Sequence, residues 1–147
     1  MFRNIACAAA LALAPLSAIA GDTPAPEGAE VYFINIEDGA TVQAPVTVQF
    51  GLSSMGVAPA GTEREATGHH HLFIDRPPLG EGSDDAELIE NGIPSDDNHL
   101  HFGGGQTETT LDLAPGTHTL QLVMGDLSHI PHDPPVVSDQ ITITVTE

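Results

Sequence analysis

The sequence predicts an all-β fold, and three observations carry that expectation. From residue 31 onward apolar and polar residues alternate with a period of two, most plainly Val46, Val48, Phe50 and Leu52 against Thr47, Gln49 and Gly51. The runs are short and are separated by turn signals such as Glu37-Asp38-Gly39, Pro77-Pro78 and Ala114-Pro115-Gly116. No segment carries a sustained helical period, and only a single helical turn is expected, at 84–89. This pattern predicts a single immunoglobulin-like β-sandwich of about seven antiparallel strands, with a cupredoxin-like Greek-key barrel as the alternative. With one Cys and no Trp in the chain, the sandwich would be a disulfide-free variant.

The elements follow in chain order. Residues 1–20 read as a signal peptide: Arg3 in a short basic start, an Ala- and Leu-rich apolar run from Ile5 to Leu16, and Ala18-Ile19-Ala20 as the cleavage site. Residues 21–30 form a Pro- and Gly-rich flexible leader, and residues 31–147 form the domain. Strands are expected at 31–36, 45–53, 69–75, 99–102, 106–113, 117–125 and 136–146. Pro45 opens the second, where no ladder donor is needed. The stretch 79–98 is acidic, rich in Gly and Pro, and reads as a loop around the helical turn.

Charge narrows the function. The 147 residues hold 21 acidic side chains against 3 Lys+Arg, a formal charge of -18, together with 8 His. Such a surface excludes phosphate neutralisation and so a nucleic-acid partner, and it repels anionic lipid. Cleavage after Ala20 would leave 127 of the 147 residues, remove Arg3 and shift the charge from -18 to -19. It would also remove Cys7, excluding a thiolate site or a cysteine nucleophile. No second apolar run approaches spanning length, so a periplasmic or secreted domain with no stable membrane insertion is expected.

The histidines gather in this scheme. Successive antiparallel strands reverse, which brings His69, His70 and His71, His99 and His101, and His129 and His132 to one end of the domain. Side chains at i and i+2 of a strand share a face. His69 and His71 therefore point together, as do His99 and His101, whereas His70 shares the core parity of Leu72 and Ile74. His118 reads as an ordinary surface residue. The expected metal ligands are His69, His71, His99, His101, His129 and His132, with Asp126 or Asp133 orienting the rings. Imidazoles without thiolates favour divalent copper or zinc. Gly103-Gly104-Gly105 lacks the Lys of a phosphate loop and is expected to allow a tight turn or a close approach to the histidines.

Four segments carry a family resemblance: Thr67–Asp75 (TGHHHLFID), Asn98–Glu108 (NHLHFGGGQTE), Pro115–Leu122 (PGTHTLQL) and His129–Pro135 (HIPHDPP). They resemble the small exported bacterial family catalogued as domain of unknown function 4399, over most of residues 45–146. The resemblance implies a compact β domain and no established activity. The functional expectation is an exported domain that binds copper or zinc for buffering or delivery, with binding favoured over catalysis. The alternative is a periplasmic interaction module whose His-rich end meets a protein or glycan partner.

Overall fold

Period-two patterning becomes strands in the computed structural model, which describes residues 21–147. The expected signal peptide at 1–20 lies outside the described residues. In chain order the elements are β1 (Glu30–Phe33), β2 (Thr41–Gln43), β3 (Val46–Ser53), β4 (Gly56–Val57), β5 (Thr67–Ile74), α1 (Asp85–Asn91), β6 (His99–His101), β7 (Glu108–Leu111), β8 (Gly116–Gly125) and β9 (Ile141–Thr146). They form two sheets, a three-stranded one of order β1-β3-β7 and a six-stranded one of order β2-β9-β8-β5-β4. β6 also pairs with β5, on the edge that β4 uses nearer the strand's start.

The fold is all-β, a sandwich of these two sheets. Val46, Val48 and Phe50 of β3 face Leu72 and Ile74 of β5, Leu120, Leu122 and Met124 of β8, and Ile143 and Val145 of β9, in one continuous apolar core. Alternation sets the inward faces: β9 reads buried–exposed without a break, from buried Ile141 to exposed Thr146. Two elements went beyond the expected strands. β2 and β4 are only three and two residues long, and each forms a parallel ladder, with β9 and β5 respectively. Runs that short hold too few positions for alternation to register. The last strand is also shorter than expected, because 131–138 meets β8 only through isolated bridges at Pro131 and Val137.

The large sheet has a second covered face. β5 is buried along both sides from Gly68 to Ile74. Its outward Phe73 packs with Val123, Leu88 and Ile93, the last two brought over by α1 and the segment after it. The acidic stretch 79–98 is thus a lid on the sheet. Arg76 fixes it: the guanidinium stacks 4.6 Å over the Phe73 ring and pairs with Asp85, whose side chain is 0% exposed. Asp85 also accepts the backbone N–H groups of Gly80 and Gly82, at 2.6 and 2.9 Å. A buried pair with its remaining lone pairs satisfied in this way offsets much of its desolvation cost.

The leader is attached rather than loose. Gly21 N–H donates to Pro131 O at 2.9 Å, Ala25 N–H to Asp133 O at 2.8 Å, and Asp133 N–H to Thr23 O at 2.8 Å. Its composition suggested freedom, but backbone pairing with 131–133 supplies partners that composition does not display.

His70 occupies the core face of β5, as its parity requires, with its ring 5.2 Å from Phe50. Neither ring nitrogen has a hydrogen-bond partner. Burial lowers its pKa from 6.5 to about 4, and the nearby Gln106 backbone, too poorly placed to make a hydrogen bond of ordinary geometry, opposes this only weakly. A buried polar group without a partner carries an unrecovered desolvation cost, which an apolar side chain of similar size does not carry. His70→Leu is therefore expected to raise the stability of the metal-free protein by about 1 kcal/mol, read by urea denaturation. A loss of similar size would show that His70 has a partner.

Candidate metal centre

The outward face of β5 carries His69 and His71, two residues apart and both buried. β6 runs antiparallel to β5 with His101 directly opposite His71, so the two His-x-His segments meet as neighbours. The fourth ring arrives from outside the sheet. His129 sits in the turn 126–130, above the His69–His71 pair, and its ring centroid lies 5.0 Å from that of His69 and 4.6 Å from that of His101. One ligand atom from each of His69, His71, His101 and His129 lies within 4.8 Å of every other.

Glycines make the room. Gly125 of β8 lies beside His69 in the ladder, and a Cβ there would stand 2.7 Å from His71 Nε2. A Cβ at Gly103 would stand 2.5 Å from His101 Nε2. Gly103 thus meets the expectation of a close approach. Gly125 was not singled out from the sequence, although its register opposite His69 follows from the hairpin once β5 and β8 are paired.

The turn bearing His129 is built by Asp126. Its Oδ1 accepts Ser128 and Ile130 N–H at 2.8 and 3.0 Å, while its backbone carbonyl accepts His129 N–H at 3.0 Å. The turn holds His129 at φ +69°, left-handed backbone that costs a residue with a Cβ about 1–2 kcal/mol. His129 O accepts from Ile93 N–H at 2.9 Å, tying the turn to the lid. Asp126 was expected to orient a ring and instead orients the loop. Asp133 takes part through its backbone.

The nitrogens are crowded in an informative way. His69 Nε2 lies 3.0 Å from His71 Nε2 and 3.1 Å from His129 Nδ1. An imidazole nitrogen offers either one N–H or one in-plane lone pair, so one nitrogen cannot make a good hydrogen bond to both neighbours. His69 Nδ1, His71 Nδ1 and His101 Nε2 are buried without a partner. Burial lowers the His69 pKa from 6.5 to about 4, helped by His129 and His101. Burial again dominates at His71, lowered to about 2 with the neighbouring imidazoles adding to it, and at His101, which is also lowered. His69, His71 and His101 are thereby held toward the neutral form, the state in which imidazole ligates a metal.

The other two expected ligands stand apart. His99 lies one step further along β6, opposite Phe73. Its Nδ1–H donates to Asp96 at 2.8 Å and its Nε2 accepts from Arg76, so both nitrogens are used in holding the lid. His132 places Nε2 3.3 Å from Thr67 O and Nδ1 3.4 Å from Met124 O. Two-residue spacing put His99 on the right face but could not show that Arg76 already occupies its ring. The proline-rich loop placed His132 in the right neighbourhood but could not show which way it turns. His118, at the far end of β8, donates to Asp75 and Ala114 O at 2.7 and 2.8 Å, and these bonds raise its pKa.

Residues 48–146 match the model of a family described as domain of unknown function (DUF4399), and the chain belongs to that family. No curated protein matches it. Among the described residues no helix is long and apolar enough to cross a membrane.

The lowered values give a pH dependence with a definite sign. His69, His70 and His71 hold protons less tightly in the folded chain than the ordinary 6.5. The unfolded chain binds more protons as pH drops below that value, so the stabilising balance is complete above about 6.5 and is lost on the way to pH 4. His118, with a raised value, acts in the opposite sense as a single exposed pair. Denaturation of the metal-free protein should show a lower midpoint at pH 5 than at pH 7.5, and replacing His69 and His71 with Gln should flatten that difference.

Proposed function

We propose that this member of the DUF4399 family binds one divalent transition-metal ion through His69, His71, His101 and His129. The observation that carries the reading is the pair of contacts at His69 Nε2, 3.0 and 3.1 Å from two other imidazole nitrogens. Hydrogen bonding accounts for one of them and a shared cation accounts for both. A tetrahedral ion with bonds of about 2.0–2.1 Å spaces its donors by about 3.3 Å, and a square-planar one by about 2.9 Å. The observed separations fall between, which suits zinc and copper(II) alike.

Burial supports an ion over a macromolecular partner. His69 and His71 are 1% and 0% exposed, out of reach of a protein or glycan surface but accessible to a bare cation. The acidic chain raises the local concentration of cations. With the signal-like start at residues 1–20, the role we assign is buffering or delivery of copper or zinc in the periplasm or outside the cell.

Titration of the metal-free protein with Zn(II) and Cu(II) tests this. One equivalent should bind at micromolar concentration or tighter. His71→Ala and His101→Ala should each weaken binding at least tenfold, the lower bound for disturbing a metal site. Gly125→Ala should do the same by pushing the His71 ring aside, with all four ligands retained. His118→Ala should bind as the wild type does. Absence of binding, or binding that survives His71→Ala and His101→Ala together, overturns the assignment.

A further inference from the structure

Three ligands of the proposed site sit on paired strands and one sits on a loop, so the loop decides whether the set is complete. That loop has an unexpected support. Thr23, in the leader, donates its hydroxyl to Asp126 Oδ2 at 2.6 Å. The other oxygen of the same carboxylate shapes the 126–130 turn that holds His129 in its left-handed conformation. The leader around Thr23 is held by the backbone bonds from Gly21 to Pro131 and between Thr23, Ala25 and Asp133. Gly21 lies so close to Ile130 that a Cβ would collide with its side chain and would stand 2.6 Å from Pro131 O. Only glycine fits there.

The geometry points to residues 21–25 as a strap that completes the metal site, with Thr23 and Asp126 as positioning residues for His129. The inference rests on the metal reading above. Neither residue touches the imidazole nitrogens. Thr23 limits the rotation of the Asp126 carboxylate, Asp126 fixes the turn, and the turn aims His129 Nδ1 at His69 Nε2, 3.1 Å away. Cleavage after Ala20 would make the Gly21 nitrogen a free ammonium. Its bond to Pro131 O would then be charge-assisted and stronger. In that case the strap already present in the full chain holds the fourth ligand more firmly once the chain is processed.

The test compares wild type, Thr23→Val and Thr23→Ser, each isolated as the cell processes it and with its first residue read by mass spectrometry. Co(II), whose visible absorption reports its coordination, is the probe. Thr23→Val should bind Co(II) about tenfold more weakly, as loss of an outer partner does, and release it faster. Thr23→Ser keeps the hydroxyl and should restore both. Urea midpoints of the three metal-free proteins should agree closely. Wild-type affinity in Thr23→Val overturns the strap. A loss that Thr23→Ser shares, accompanied by a fall in the urea midpoint, also overturns it in favour of a general stabilising role. If the wild type takes up no Co(II), the metal reading falls separately, and amide exchange at Ser128 and Ile130 still decides the strap. Faster exchange in Thr23→Val alone supports it, and unchanged exchange overturns it.

Discussion

Burial of β5 on both faces is the constraint from which the rest of the site follows. One face of a sheet in a two-layer sandwich usually meets water, and imidazoles on it would be ordinary surface groups. Here α1 and the segment after it close over Phe73 and Val123, while His101 of β6 and His129 of the 126–130 turn close over the buried His69 and His71. Desolvation favours the neutral form of His69, His71 and His101, and that lets the imidazoles crowd together. A cluster of imidazolium ions at these distances would repel itself apart. The second layer joins the site through Ile93, whose N–H donates to His129 O and ties the ring-bearing turn to the lid.

That layer depends on a single cation. The chain has almost no basic residues, and one of them, Arg76, is placed where an acidic lid most needs it. It lies against Phe73, between His99 and the buried Asp85. The contact with His99 explains why that residue is not free to ligate. It also separates the two jobs on strand β6: His101 faces the cluster, while His99, two residues earlier, anchors the cover. The same spacing that made them look equivalent in the sequence puts them on one face, but their cross-strand neighbours, His71 and Phe73, differ.

The legible and illegible parts of this protein divide along the same physical line. Alternation marked β3, β5, β8 and β9 and gave the inward parity of His70, because burial of one strand face leaves a period in the sequence. It also put His69, His71 and His101 on a common outward face. Details that depend on long-range pairing left no such trace. β2 and β4 are too short to alternate. The leader reads as loose, yet it pairs with residues more than a hundred positions away. The acidic stretch around α1 reads as a solvated loop, because its few apolar anchors, Leu88 and Ile93, are outnumbered by charge. The choice between His129 and His132 turns on one left-handed residue and one carboxylate, features local in space that no period could encode.

The division of the ligand set between sheet and loop has a consequence for what the site can do. His69, His71 and His101 are fixed by ladder hydrogen bonds, so under the proposed reading they form a preorganised half-site that needs little reordering to accept an ion. His129 is held by polar contacts at the protein's edge and by a strained backbone whose cost is met only while Asp126 is engaged. A site of four strand-borne ligands would bind tightly and exchange slowly. A site with three fixed ligands and one on a tethered loop opens by releasing a single turn, without disturbing either core. Buffering and delivery require that combination, in which rigid donors give affinity and one conditional donor gives a route out.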